Sequence, residues 1–201
     1  MRDVRRGPRL VMLGRQGAGK GTQCALLASR LGLPHLSTGA LFRREAAAGT
    51  ALGQRVEGCL DAGELVPDRL VLDVVIHALQ GAPGGYLLDG FPRTLAQGAA
   101  LFETLGPDAL DLAIELVAPL EVVLPRLVER GRDDDTPEAI ERRLEAYDER
   151  TSPLLVWLDS RGVLATVDAI GEPLDVHERV LAALGERLAF PLPARAPLPG
   201  T

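Results

Sequence analysis

Short apolar runs alternate along the chain with longer stretches in which apolar residues recur every three or four positions. The runs predict buried strands at residues 10–13, 34–36, 86–88, 112–117 and 164–167. The periodic stretches predict helices at residues 20–31, 68–79, 94–105, 120–130, about 136–160 and 176–188. Strands that alternate with helices are typical of an α/β fold, in which helices cover both faces of a largely parallel sheet.

Two segments depart from this alternation. Residues 37–66 predict two helices with a break at Gly49-Thr50, where Thr50 is suited to cap the second helix. Only five residues separate Arg130 from Thr136, where Thr136-Pro137-Glu138 predicts the start of a helix. We therefore expect a helical arm at about 37–66, and at about 130–136 a connection too short to have a core of its own.

The composition is that of an ordinary globular protein, and we expect a single domain over residues 1–201. The formal net charge of -6 argues against a general nucleic-acid binder, which usually carries a basic face. No apolar run reaches the length of a membrane span. The basic residues 1–9 lack the apolar stretch of a secretory signal, so we expect a cytoplasmic protein. The Pro-rich residues 190–201 are expected to form a disordered tail.

A glycine-rich segment, Gly14 to Thr22, lies between a predicted strand and a predicted helix. In that context the glycines let successive backbone N–H groups point inward, and the helix N-terminus adds partial positive charge, so the segment predicts a phosphate-binding loop. The chain has 21 arginines and a single lysine, and that lysine is Lys20 within this loop. A compact ammonium on a flexible stem is suited to reach the outer phosphates of a nucleotide. Gly21 separates Lys20 from Thr22, so the loop lacks the side-chain Mg²⁺ ligand that usually follows the lysine.

Cysteine and histidine residues form no metal-binding motif along the sequence. Cys24 and Cys59 have no metal-type spacing, and we expect both to be buried as small apolar residues in a reducing compartment. His35, His77 and His177 are scattered, and we interpret all three as structural or surface residues.

Four further segments give the sequence a specific resemblance. They are Leu36 to Arg43 (LSTGALFR), Asp61 to Asp68 (DAGELVPD), Leu87 to Gln97 (LLDGFPRTLAQ) and the arginine-rich residues 126–143. Together with the Gly-Lys-Gly-Thr-Gln ending of the loop, these segments resemble adenylate kinase, of the nucleoside monophosphate kinases, over roughly residues 9 to 189. The resemblance implies a P-loop three-layer α/β/α fold with an AMP-binding arm, and phosphoryl transfer from ATP to AMP.

The resemblance also implies roles for individual residues. The residues implied to bind ATP are Gly17, Ala18, Gly19, Lys20, Gly21, Thr22, Arg126, Arg130 and Gly171. Those implied to bind AMP are Thr38, Arg43, Glu64, Leu65, Val66, Gly90, Arg93, Gln97, Arg132 and Arg143. Lys20, Arg93, Arg130, Arg132 and Arg143 are implied to be catalytic, and Asp89 is implied to hold Mg²⁺ through water.

The chemistry of the acceptor side agrees with this resemblance. Arg43 and Arg93 can clamp the acceptor phosphate, because a guanidinium makes paired hydrogen bonds to phosphate oxygens. Members that select adenine resemble this chain at Thr38, Thr94 and Gln97, whereas uridylate/cytidylate kinases tend to have Ala and Asn at the first two places. The Gln97 amide can pair with the adenine edge; the alternative interpretation is an exposed helix residue.

The resemblance is to the short-lid form, so we expect no zinc, and the family implies a monomer. Asp134 and Asp135 are interpreted either as a solvated start to a helix or as partners of arginines across the cleft. Three residues depart from the family pattern: Arg15 replaces a small residue, Gln16 a Pro and Ala40 an Asp. Two alternatives stay open, namely a uridylate/cytidylate kinase and a nucleotide-binding module that does not catalyse.

Overall fold

The computed structural model of the chain describes residues 6–61, 66–130 and 137–188. The strands are β1 (Arg9–Gly14), β2 (His35–Ser37), β3 (Tyr86–Asp89), β4 (Leu112–Val117) and β5 (Leu164–Asp168). The helices are α1 (Lys20–Leu31), α2 (Thr38–Ala47), α3 (Ala51–Asp61), α4 (Asp68–Leu79), α5 (Leu95–Leu105), α6 (Leu120–Arg130), α7 (Pro137–Ser160) and α8 (Pro173–Arg187). None of the described helices is both long enough and apolar enough to cross a membrane.

The five strands form one parallel sheet in the order β2-β3-β1-β4-β5. The chain therefore leaves β1 toward one side of the sheet, for β2 and β3, and later returns to its other side for β4 and β5. Ligands of open α/β sheets bind beyond the carboxyl ends of the strands, where the strand order reverses. The segment that follows β1 lies at this point of the sheet.

Apolar residues of β1 contribute to cores on both faces of the sheet. Leu10 and Met12 belong to one buried cluster, which also includes residues of α1 and α8. Val11 and Leu13 belong to the other cluster, which includes residues of α4, α5 and α7. A strand covered on both faces needs a continuous apolar run, because its side chains alternate between the two faces. The predicted α/β/α arrangement with a parallel sheet is confirmed.

The arm at 37–66 begins with α2 and α3, and the turn between them is the one that the sequence predicts. Gly49 has a φ of +61°, and the Thr50 hydroxyl accepts a hydrogen bond of 2.9 Å from the amide of Gly53. The same hydroxyl donates to the buried Glu45 carboxylate at 2.9 Å. At Gly53 the two helices are so close that an added Cβ would lie 2.0 Å from the carbonyl oxygen of Glu45.

Some boundaries differ from the sequence prediction. The second strand is His35–Ser37 rather than 34–36, and α8 begins at Pro173 rather than Val176. The first three residues of α8 are exposed, so they lie outside the buried apolar stripe from which the helix was predicted, although Pro is well suited to a first helical position. Helix α6 continues through Pro125, and α7 continues through Pro153.

Candidate active site

The glycine-rich segment forms a loop between β1 and α1. Gly17 has a φ of +83°, and a Cβ there would lie 2.8 Å from Cγ1 of Val123 on α6, so only glycine fits this close approach. Gly19 has a φ of +93° and immediately precedes the first turn of α1. Ala18 is buried, while Gly21 and Thr22 are exposed in that first turn. The loop therefore presents the amino end of a helix, which attracts phosphate.

Lys20 lies at the first position of α1, and its side chain turns back over the loop. Its ammonium donates hydrogen bonds to the carbonyl oxygens of Gly14, at 2.7 Å, and Arg15, at 2.8 Å. The positive charge is thus held at the phosphate loop by two of its carbonyl oxygens.

Arg15, one of the departures from the family pattern, joins the phosphate loop to α7. Its guanidinium donates to both carboxylate oxygens of Asp148, at 2.7 and 2.8 Å. The Arg15 side chain is 34% exposed and that of Asp148 51% exposed, so this ion pair contributes about 1 kcal/mol at most to stability. The partners are 133 residues apart, and no local pattern in the sequence indicates that they meet.

On the acceptor side, the segment after β3 contacts the start of α2. Gly90 has a φ of +85°, and a Cβ there would lie 2.7 Å from Oγ1 of Thr38 and 2.9 Å from Nη2 of Arg93. Arg93 is exposed, and its Nε donates to the carbonyl oxygen of Gly90 at 2.7 Å. The structure thus brings together three residues, Thr38, Gly90 and Arg93, for which the resemblance implies AMP binding.

Gln97 is buried, at 7% exposure, so the interpretation of an exposed helix residue is wrong. Its side-chain oxygen accepts from the amide of Arg93 at 2.7 Å, and its nitrogen donates to Asp68 at 2.6 Å. The Thr94 hydroxyl caps α5 by accepting a hydrogen bond from the backbone N–H of Gln97, and it donates to the same Asp68 carboxylate at 3.3 Å. Asp68 fixes the orientation of the Gln97 side-chain amide. Sequence analysis missed this role, because Asp68 lies on another helix, 26 residues before Thr94.

The other described residues assigned to AMP lie on or beside the arm. Arg43 is exposed on α2, with its Nη1 3.5 Å from the position that a Cβ would occupy on Gly39. Val66 is half-buried and packs against the apolar cluster that includes Leu41 and Val56. Arg43 therefore lies beside the segment that holds Thr38.

On the opposite side of the sheet, Arg126 and Gly171 lie together. Arg126 on α6 donates to the carbonyl oxygens of Ala169, at 3.2 Å, and Gly171, at 3.3 Å. Gly171 has a φ of +102° in the turn between β5 and α8. Although they are 45 residues apart, these two residues predicted to bind ATP are in direct contact.

Asp89 ends β3 next to β1, where Met12 is its partner in the register. His35 lies diagonally across from it on β2, and the two side chains approach to 3.4 Å between Nε2 and Oδ2. Cys24 is fully buried on α1, four residues after Lys20 and therefore on the same helix face. Burial, followed by the charge of Asp89, raises the pKa of the Cys24 thiol, and the nearby Lys20 opposes this shift.

Several predicted site residues lie outside the described part of the chain. They are Glu64, Leu65 and Arg132, and the side chains of Arg130 and Arg143. Asp134 and Asp135, the short lid and the tail at 190–201 also lie outside it.

Comparison with known proteins identifies the family. The adenylate kinase family matches residues 12–163, about three quarters of the chain. The chain belongs to the adenylate kinase family. It is 49% identical over 181 residues to an adenylate kinase of Parasynechococcus marenigrum, an alignment that covers 88% of this chain and 98% of that protein.

Two further members of the family are also similar over nearly their whole length. The adenylate kinase of Nocardia farcinica is 44% identical over 88% of this chain and 99% of its own. That of Thermobifida fusca is 43% identical over 89% of this chain and 99% of its own. The resemblance drawn from the motifs is therefore confirmed, and the parallel sheet agrees with the fold that it implied.

Proposed function

We propose that this protein is an ATP:AMP phosphotransferase, which reversibly transfers a phosphoryl group from ATP to AMP in the presence of Mg²⁺ and gives two ADP. The observation that carries the proposal is the position of two anion sites on neighbouring strands. The phosphate loop follows β1, and the Gly90–Arg93 segment follows β3, which is hydrogen-bonded to β1 in parallel. Because parallel strands end at the same edge, donor and acceptor phosphates bound to these segments face each other.

ATP binds along the phosphate loop, with its phosphates at the amino end of α1. Residues 17–22 contribute backbone N–H groups, and Lys20 moves from the loop carbonyls to the outer phosphates. Arg126 and Gly171 form the far side of this site, where their contact connects α6 to the turn after β5. Arg130, at the end of α6, is the further residue that we assign to ATP on this side.

AMP binds between the arm and the Gly90–Arg93 segment. Arg43 and Arg93 pair with its phosphate, since each guanidinium offers paired donors. Gln97 recognises adenine with the amide that Asp68 orients, and the buried Thr38 closes the site beside Gly90. Glu64, Leu65 and Val66 complete the site from the end of the arm.

Catalysis requires positioning and charge stabilisation rather than a covalent intermediate, because the transferred phosphoryl group spreads its charge over equatorial oxygens. Arg132 and Arg143, together with Lys20, Arg93 and Arg130, supply positive charge around that group. A bound Mg²⁺ would supply neutralisation of the charge on the phosphates. The donor set fits this ion, because Mg²⁺ keeps most of its waters and needs only a carboxylate such as Asp89 to hold them.

An acceptor panel tests the proposal. The purified protein receives Mg²⁺ and ATP with AMP, UMP, CMP or GMP in turn, and formation of the nucleoside diphosphate is followed. Beyond its bonds to Arg93 and Asp68, the Gln97 amide keeps a second N–H and a second lone pair with which to pair with adenine. We therefore expect kcat/KM for AMP to exceed that for the other acceptors by about a hundredfold or more. Protein carrying Lys20→Met, prepared identically, is the control for contaminating kinases.

The panel also separates the alternatives. A preference for UMP or CMP would make the chain a uridylate/cytidylate kinase. Binding of ATP without turnover of any acceptor would indicate a nucleotide-binding module that does not catalyse.

A further inference from the structure

Three side chains from different elements converge beside the phosphate loop. The Sγ atom of Cys24, a ring nitrogen of His35 and a carboxylate oxygen of Asp89 all lie within 4.8 Å of one another. Each comes from a separate element, α1, β2 and β3, so the cluster is created by the packing of α1 on the sheet. The spacing of these three residues along the sequence does not indicate a metal site.

These ligand types differ from those that Mg²⁺ prefers. Thiolate, imidazole and carboxylate are the ligands of Zn²⁺, which binds them at about 2.0–2.3 Å in tetrahedral geometry. Ligand atoms around such an ion lie roughly 3.3–3.8 Å apart, and His35 Nε2 and Asp89 Oδ2 are already at 3.4 Å. The side chain of His35 is 29% exposed, so it is free to adjust from the solvent side. Three protein ligands leave a fourth position for water or for a phosphate oxygen.

Charge also favours a divalent cation at this place. A coordinated metal ion deprotonates the thiol to which it binds. The resulting thiolate and the Asp89 carboxylate together balance a charge of +2. Lys20 is the opposing charge, and its ammonium is held by two loop carbonyls.

We propose that Cys24, His35 and Asp89 form a binding site for a borderline-soft divalent cation such as Zn²⁺, and that its occupation inhibits phosphoryl transfer by withdrawing Asp89 from Mg²⁺. The inhibitory part rests on the proposed function. The expectation of no zinc was drawn from the short lid, and this cluster lies elsewhere, between α1 and the sheet.

Binding is tested with Co²⁺, which replaces Zn²⁺ and gives an intense near-ultraviolet band when a thiolate coordinates it. Titration of the reduced protein, without nucleotide, should show this band saturating at one ion per chain. Cys24→Ala should abolish the band, while Cys59→Ala is the matched control and should keep it. His35→Gln, at a partly exposed position that leaves the core intact, should weaken Co²⁺ affinity by about tenfold or more. Excess Mg²⁺ should not displace the band, because Mg²⁺ prefers oxygen ligands.

Inhibition is tested separately in the Mg²⁺·ATP and AMP assay with buffered free Zn²⁺. The Zn²⁺ concentration for half-inhibition should rise about tenfold or more in Cys24→Ala, while Cys59→Ala should match the wild type. The site would be overturned if no cobalt band appeared. It would also be overturned if the band persisted in Cys24→Ala and was unaffected by His35→Gln. A cobalt site whose loss leaves Zn²⁺ inhibition unchanged would overturn the link to Asp89. A cobalt site in a protein that phosphorylates no acceptor would overturn the proposed function and the inhibitory role, but not the site itself.

Discussion

At the scale of single residues, Lys20 is both hydrogen-bonded to the phosphate loop and the source of a positive charge there. Its ammonium is held at the edge of the phosphate loop by two carbonyl oxygens, and it is the single lysine of the chain. In the proposed reaction, the surrounding loop supplies amides of fixed direction, whereas the lysine supplies a full charge that can follow the phosphoryl group as it moves. Its contribution should therefore be greater in the transition state than in bound ATP.

Replacement of this lysine by methionine keeps the length of the stem and removes the charge. We expect Lys20→Met to lower kcat by roughly a hundredfold or more, the scale for losing one transition-state charge contact. Steady-state kinetics with ATP and AMP would measure this effect, and thermal unfolding would show that the loop remains folded. A variant within a few-fold of wild type would contradict the role of Lys20.

His177 is a second residue whose environment has a measurable consequence. It is buried on α8, and its Nδ1 lies 3.3 Å from Oε1 of Gln23 on α1. The amide nitrogen of Gln23 donates to the carbonyl oxygen of Pro173, so the amide oxygen is left to accept from His177. Burial lowers the pKa of His177; Arg30 acts in the same direction, and Glu178 opposes it.

This lowered pKa predicts a pH dependence of stability. Below about pH 6.5 the unfolded chain takes up a proton that the folded protein resists, so the free energy of unfolding decreases as the pH falls. We expect His177→Gln, which keeps a polar side chain but cannot titrate, to lose less stability than the wild type between about pH 7.5 and pH 5. Urea unfolding of the wild type and the variant at the two pH values measures the difference. Equal losses would exclude His177 as the cause.

At the scale of elements, the arm depends on the close contact of α2 and α3. The contact is possible because Gly53 has no side chain, and the carbonyl oxygen of Glu45 occupies the place of its Cβ. Thr50 and Glu45 then connect the two helices by hydrogen bonds at the same point. The arm is therefore a packed helical hairpin, and its geometry is set at one crossing point.

Substitution at this crossing should separate the helices. We expect Gly53→Ala to destabilise the protein by roughly 1–3 kcal/mol through overpacking, and to raise KM for AMP more than KM for ATP. Gly58→Ala on the same helix is the matched control, because a Cβ there meets nothing within 4 Å. It should instead stabilise by about 0.5–1 kcal/mol, since alanine favours the helix. Similar effects of both substitutions would show that the crossing has no special role.

At the scale of the whole molecule, the positions of the two sites suggest closure during the reaction. Water is itself an acceptor, so an enzyme that transfers phosphoryl groups to AMP has to exclude it from the site. Lid closure is a known property of adenylate kinases, and we predict that the arm is one of the moving parts here. The arm joins the sheet at the end of β2 and returns to α4 through residues 62–67.

Hydrogen exchange tests whether the arm closes. A bisubstrate analogue that joins two adenosines through phosphates occupies both sites, and it should slow amide exchange in α2 and α3. ATP alone is the matched control, which should protect the phosphate loop without protecting the arm to the same extent. The amides of β1 and β4, already in the core, serve as an internal reference. Unchanged exchange in the arm would contradict closure even if the enzyme were active.

The sequence alone determined the features that depend on neighbouring residues. Periodicity located the helices and strands, since burial of one face imposes it locally, and the phosphate loop is a single run of nine residues. The Thr50 cap and the start of α7 at Pro137 also follow from chemistry within one turn. The family segments were sufficient to place Thr38, Gly90 and Arg93 in one site.

Tertiary structure decided which distant residues meet. The pairing of Arg15 with Asp148, the contact of Asp68 with Gln97 and the cluster of Cys24, His35 and Asp89 each join different elements. Such contacts depend on the strand order, the register of β2 against β3 and the packing of α1 on the sheet. Periodicity records that a face is buried, but not what covers it, because burial of apolar area is non-directional. Neighbours across elements are therefore fixed only once the whole chain has packed.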